Sequence, residues 1–131
     1  MREARIICAS EQRDNRPVAL SVISQLEETL ARRFGGYTVV MGRGGYVMDS
    51  GELKTELVRV YDVAMEAHHF PALTGIAQWL CREANQECVY VRDPNGQVSF
   101  YNRGLEPAQQ HVREIPADYH ATQDHVRGDY R

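Results

Sequence analysis

Cysteine is scarce in this chain: three residues, Cys8, Cys81 and Cys88, among 131. That odd and sparse count excludes a disulfide framework and predicts reduced thiols in a cytoplasm. Metal-ligand spacing is missing too. Cys81 and Cys88 form no C-x-x-C pair, and His68, His69, His111, His120 and His125 form no H-x-x-x-H or H-E pattern, so no metal and no cofactor are expected. There is no excess of basic charge. Lys and Arg number 15 against 18 Asp and Glu, a net charge of -3, which leaves no basic surface for nucleic-acid phosphates. The longest apolar runs fall far short of a membrane span, and "MREARIICAS" lacks the long apolar stretch and cleavage site of a signal peptide. The length fits one domain.

What is present is periodic. "ARIICA" (4–9) is a short β-branched run that reads as a buried strand. Pro17 suits the first turn of a helix, and Ala19, Val22, Ile23, Leu26 and Leu30 then recur at helical spacing. Arg32 and Arg33 favour that helix's C-terminus, and Gly35-Gly36 end it. "YTVVMGRGGYVM" (37–48) predicts a second strand weakened by glycines and "TELVRVYDVAM" (55–65) a third, with "DSGELK" as the turn between them. From Pro71, Leu73, Ile76, Ala77, Leu80, Cys81 and Ala84 make a second helical stripe that ends at Asn85. "ECVYVR" and "QVSFYN" predict two more strands around a "DPNG" turn. The order β-α-β-β-α-β plus one strand is α+β: a ferredoxin-like split βαβ sheet, antiparallel, with two helices on one face. The apolar third to fifth strands suggest that the other face is buried against further subunits. The domain is expected to span 1–116, followed by a polar tail over 117–131.

Several residues are chemical candidates. Cys81 lies in the apolar stripe of the second helix and Cys88 opens a strand, so packing is the expected role of both. "GRGGYV" (42–47) leads into a strand and lacks the lysine of a phosphate loop; it marks either a strand bulge or a place where a ligand or backbone approaches closely. Glu52 and Glu56 frame the start of the third strand. Glu56 shares a face with Val58 and Val60, where a carboxylate is costly unless it is solvated or meets a cation; Arg59 points the other way.

"IAQWLCREANQECVYVRD" resembles the phage-encoded enzymes that destroy S-adenosylmethionine (SAM), formerly termed SAM hydrolases and now SAM lyases. Ala77, Cys81, Glu83, Gln86, Cys88, Val89 and Val91 carry the likeness across the helix–strand junction. Gly45-Tyr46, a glutamate before Val58-Arg59-Val60, "YNRGL" and "REIP" (113–116) extend it over residues 37–116. The resemblance implies a ferredoxin-like, PII-like subunit in a trimer with sites between subunits, acting in the cytoplasm of an infected host against SAM-dependent restriction. It implies a reaction in which the methionyl carboxylate attacks its own γ-carbon, giving methylthioadenosine and homoserine lactone without metal or protein nucleophile. The family's tyrosine falls on Tyr46 and its essential glutamate on Glu56, to engage the substrate ammonium; a gap in the 46–56 segment keeps Glu52 as a rival. Gln86 either binds substrate or caps the helix end, and Tyr46 and Tyr37 are the aromatic candidates for the sulfonium. Two readings of other classes stay open: a PII-like trimeric binder of a small effector without turnover, and a structural oligomer.

Overall fold

The structure is a computed structural model that describes residues 1–48 and 50–102. It runs β1 (Arg2–Ala9), α1 (Leu20–Phe34), β2 (Thr38–Val47), β3 (Leu53–Met65), a 3-10 turn (Ala67–His69), α2 (Phe70–Glu83), β4 (Cys88–Arg92) and β5 (Val98–Asn102). The strands form one sheet in the order β2-β3-β1-β4-β5. Every neighbouring pair is antiparallel. The expected ferredoxin-like arrangement with an added strand is what the chain adopts. The expected tail over 117–131 lies outside the described residues, as do "REIP" and most of "YNRGL".

Alternation along the strands sorts side chains between two faces. Ala4, Ile6 and Cys8 of β1, Tyr61, Val63 and Met65 of β3, and Val89 and Val91 of β4 turn one way. They form a single core with Ile23, Leu26 and Leu30 of α1 and Leu73, Ile76, Ala77, Leu80 and Cys81 of α2. Both helices therefore cover the same face of the sheet. α1 ends where Gly35 adopts φ 94 and its N–H reaches the carbonyl of Ala31 at 2.8 Å, a left-handed stop that glycine takes without a Cβ clash. The β4–β5 turn is held by the Asp93 carboxylate, which accepts from the N–H groups of Asn95 and Gln97 at 2.8 and 2.9 Å.

Three local expectations are corrected. Pro17 is not in the first turn of α1, which begins at Leu20 behind Ala19 with no side-chain cap. Instead residues 11–17 close on themselves: Glu11 and Pro17 form a β-bridge, Gln12 N–H donates to the Arg16 carbonyl at 2.7 Å, and Asn15 takes φ 69. β3 begins two residues earlier than expected, and the glycines of β2 do not break the pairing. All ten β2 residues pair with β3, from Thr38 opposite Asp62 to Val47 opposite Leu53, so no bulge is present there.

One polar contact binds helix to sheet through the apolar layer. The Glu27 carboxylate on α1 accepts from the hydroxyl of fully buried Tyr61 at 2.8 Å and from that of Tyr37 at 3.1 Å. Burial and this carboxylate raise the Tyr61 phenol far above its ordinary pKa, so it remains a donor at every working pH. Glu27→Ala leaves that hydroxyl without an acceptor and is expected to cost roughly 1–3 kcal/mol in urea unfolding. Tyr61→Phe in the same chain should recover part of that loss; a full additive loss would mean the two side chains are not coupled.

Candidate functional site

The sheet face opposite the helices is covered by neither helix, although Val58 and Val60 at its middle are buried. Along β3 it presents Lys54, Glu56, Val58, Val60 and Asp62; opposite them on β2 stand Tyr46, Gly44, Gly42, Val40 and Thr38. β1 adds Arg5, Ile7 and Ala9, and β4 and β5 add Tyr90 and Phe100, packed edge to face at 5.7 Å between ring centroids. At one end Arg5 and Asp62 close a two-pronged ion pair at 2.7 and 3.1 Å. The middle is aliphatic. The other end holds the groups that lack such pairing.

That end is built by the β2–β3 ladder and by the loop after β1. Glu56 is partly buried and, among the described residues, its carboxylate enters no ion pair and accepts no hydrogen bond. Burial raises its pKa above the ordinary carboxylate value; the Lys54 charge opposes this and that of Glu11 adds to it. The strand partner of Glu56 is Gly44, so no side chain stands beside the carboxylate on that strand. Tyr46 pairs with Lys54 and is thus the diagonal neighbour of Glu56, within reach of a long side chain. Its phenol is raised by burial first, then by the charges of Glu56, Glu87 and Cys88. Tyr46 and Glu56, ten residues apart in sequence and on neighbouring strands, therefore share one face of the sheet as diagonal neighbours.

Glu11 is the residue that pattern reading missed. Ser10 N–H donates to the Leu57 carbonyl at 2.9 Å, extending the β1–β3 pairing one step and carrying Glu11 across from Glu56. The sequence signal was weak, because Glu11 falls in a polar stretch after the strand and its relation to Glu56 exists only through the register. The same loop brings Asn15 to Lys54, whose Nζ donates to the Asn15 Oδ1 at 3.1 Å.

The remaining candidates separate from this cluster. Tyr37 packs on the helix side, against Tyr61 at 5.8 Å and on Glu27, and not in the group around Glu56. Glu52 is exposed in the hairpin turn, where its backbone bonds to Met48 and Ser50. Gln86 is buried, and both ends of its amide are engaged with backbone. Oε1 accepts from Ala9 N–H at 3.1 Å, while Nε2 donates to the carbonyls of Glu11 and Ala84 at 3.0 and 3.1 Å. Of its two expected roles the geometry favours the architectural one: it holds the end of β1 and the start of the Glu11 loop to the α2–β4 corner.

Cys81 is buried in the core with Sγ 2.9 Å from the Tyr101 carbonyl, whereas Cys88 lies on the open face. The sheet separates them. Burial pushes the Cys8 thiol up to about 12, which removes it as a nucleophile. Among the described residues no cluster of His, Cys, Asp and Glu is arranged to hold a metal ion. A groove between α1 and α2, lined by Gln25, Thr29, Arg33, Ile76 and Trp79, lies on the far side of the sheet from Glu56 and contains no catalytic pair.

Two solved structures share this architecture. One is a phage SAM lyase in complex with S-methyl-5'-thioadenosine: TM-score 0.61, 20% identity, 79% of this chain and 91% of that one covered. The other is a phage SAM lyase in its apo state: TM-score 0.56, 17% identity, with 79% and 90% covered. The fold is that of the phage SAM lyases. No protein-family profile matches the chain, and no curated protein does. The fold is thus shared over most of the chain, while sequence identity is low.

Glu56 sets a pH signature that can be checked on the protein alone. Its pKa is raised in the folded chain, so folding binds its proton more tightly than the unfolded chain does. The stability it contributes is complete below the ordinary carboxylate pKa and is lost as pH rises through the raised value. Glu56→Gln removes that loss. At pH 7 the variant should melt roughly 2–4 °C higher than the parent, and the difference should vanish below about pH 4. An equal shift at both pH values would mean that charge burial is not its cause.

Proposed function

We propose that this protein is a SAM-degrading lyase that releases methylthioadenosine and homoserine lactone. The observation that carries this reading is Glu56: a partly buried carboxylate without a partner among the described residues, beside Tyr46, on a sheet of SAM-lyase architecture. A buried carboxylate in that state is costly unless a cation arrives, and SAM brings two, an ammonium and a sulfonium. Glu56 takes the ammonium, which turns the methionyl chain so that its carboxylate lies behind the γ-carbon. A carboxylate oxygen forms the C–O bond as the C–S bond breaks, and the bonding pair passes to sulfur and cancels its charge. No proton moves and no water enters. The protein's contribution is the folded, near-attack geometry. The Tyr46 ring faces the sulfonium, a contact worth roughly 0.5–2 kcal/mol.

The same reading places the site between subunits of a trimer. On the helix side of the sheet the distal β2–β3 hairpin exposes Leu53, Leu57 and Met41, 67%, 58% and 57% exposed, and on the Glu56 side it exposes Val40, 54% exposed. Surface of that kind is normally covered by a partner, and a second copy would also wall the open face beside Glu56. Depletion of SAM in an infected host, and so relief from SAM-dependent restriction, would be the biological outcome. A PII-like binder of SAM without turnover is the second reading, and it rests on the same unpartnered carboxylate.

Incubating SAM with the purified protein and separating the products decides between them. Methylthioadenosine with homoserine lactone is expected. Homoserine formed without any lactone would indicate hydrolysis, and intact SAM with retained binding would leave the binder. Glu56→Gln should lower kcat/KM by about 100-fold or more, as loss of a charged contact that orients the reacting chain. Lowering the pH through the raised Glu56 pKa should weaken SAM binding in the parent and not in the variant. Light scattering should give a trimer, which Leu57→Glu should dissociate.

A further inference from the structure

Lys54 stands two residues from Glu56 on the same strand face and directly opposite Tyr46. Two residues of strand place their Cα atoms about 7 Å apart. Among the described residues neither Lys54 nor Glu56 enters an ion pair, although they are close enough for the lysine charge to act on the carboxylate. What keeps them apart is the loop after β1: the Lys54 ammonium donates to the Asn15 Oδ1 at 3.1 Å, and Asn15 is held at φ 69 beside the Asp14–Arg16 pair at 2.8 Å. One of the three N–H donors is used and two remain. Lys54 is also partly buried. The result is a cation held by Asn15 and an unpaired anion, side by side on the same strand face and with no ion pair between them.

We infer that Lys54 and Glu56 together recognise the amino-acid end of the ligand, Lys54 binding the α-carboxylate while Glu56 binds the α-ammonium. The two charges of an α-amino acid flank one carbon, which suits a cation held by the loop after β1 beside an anion that has no partner among the described residues. This rests on the SAM reading and specifies it: the site selects ligands that carry an intact α-amino acid and discriminates against those that have lost the carboxylate. It also has a kinetic consequence. A lysine bound to the carboxylate stabilises the ground state of the group that must act as nucleophile, and that stabilisation is surrendered as the carboxylate charge is consumed. Lys54 therefore serves binding more than the chemical step.

The test compares SAM with its decarboxylated analogue, which has the ammonium and sulfonium but no internal nucleophile and so acts as a competing inhibitor. Lys54→Met should raise the KM for SAM about tenfold, the loss of a hydrogen bond between charged groups, with kcat unchanged or raised. The inhibition constant of the decarboxylated analogue should not change. Lys54→Arg should restore most of the KM. Equal weakening of SAM and analogue would overturn the pairing, because it would mean that Lys54 acts only through Asn15 and its loop. An unchanged KM would overturn it as well. If the parent protein neither consumes SAM nor is inhibited by the analogue, the SAM reading itself has failed and the pairing falls with it; consumption by the parent with no discrimination in Lys54→Met rejects the pairing alone.

Discussion

The rest of the structure depends on an imbalance: both helices lie on one face of a five-stranded sheet. The helix face closes a continuous apolar core around Ile6, Tyr61, Val63, Leu26, Leu73 and Leu80, all fully buried. The opposite face has to be useful without a layer of its own. It solves this in three zones along the strands. Arg5 and Asp62 neutralise one end, Ile7, Val58 and Val60 pack the middle, and the end near the hairpin keeps Glu56 and Lys54 as separate charges. Only where the ladder stops supplying counter-charges does the surface become suited to a charged ligand.

Two supports keep that end ordered. Gln86 joins the end of β1 to the α2–β4 corner with three bonds to backbone, and Asn15 holds Lys54 from the loop that Gln86 anchors. A helix–strand junction on one side of the sheet thus sets the position of charges on the other side. The distinctive "ANQEC" run is better explained by this anchoring than by direct ligand contact, since the Gln86 amide has its oxygen and nitrogen both engaged inside the chain.

The fold was legible because its signals are periodic: two clean helical stripes, five short β-branched or aromatic runs, and turn chemistry at Gly35 and at Asp93-Pro94-Asn95-Gly96. Glu56 and Tyr46 were legible in part, since alternation fixes a side chain's face within one strand. What alternation cannot supply is the register between strands. That Glu11 sits across from Glu56, and that Lys54 is restrained from the loop after β1, follows only once β1 is laid against β3. The placement of Tyr37 was not legible for the complementary reason. It precedes the first paired residue of β2, where no alternation constrains it, and a buried phenol beneath α1 supplied a better partner than solvent did.

The strand order has a further consequence, for how the chain reaches this state. β1 is the first strand in sequence, yet it is central, paired with β3 on one side and β4 on the other. Arg2 lies opposite Met65 and Arg5 opposite Arg92, so neither ladder closes until distant segments have been made and brought back. The β2–β3 hairpin, by contrast, is local and forms without that loop-closure cost. During synthesis the hairpin and its exposed leucines precede the sheet they belong to. The local hairpin is therefore the part of the sheet with the lowest loop-closure cost, and the central strand is the part with the highest.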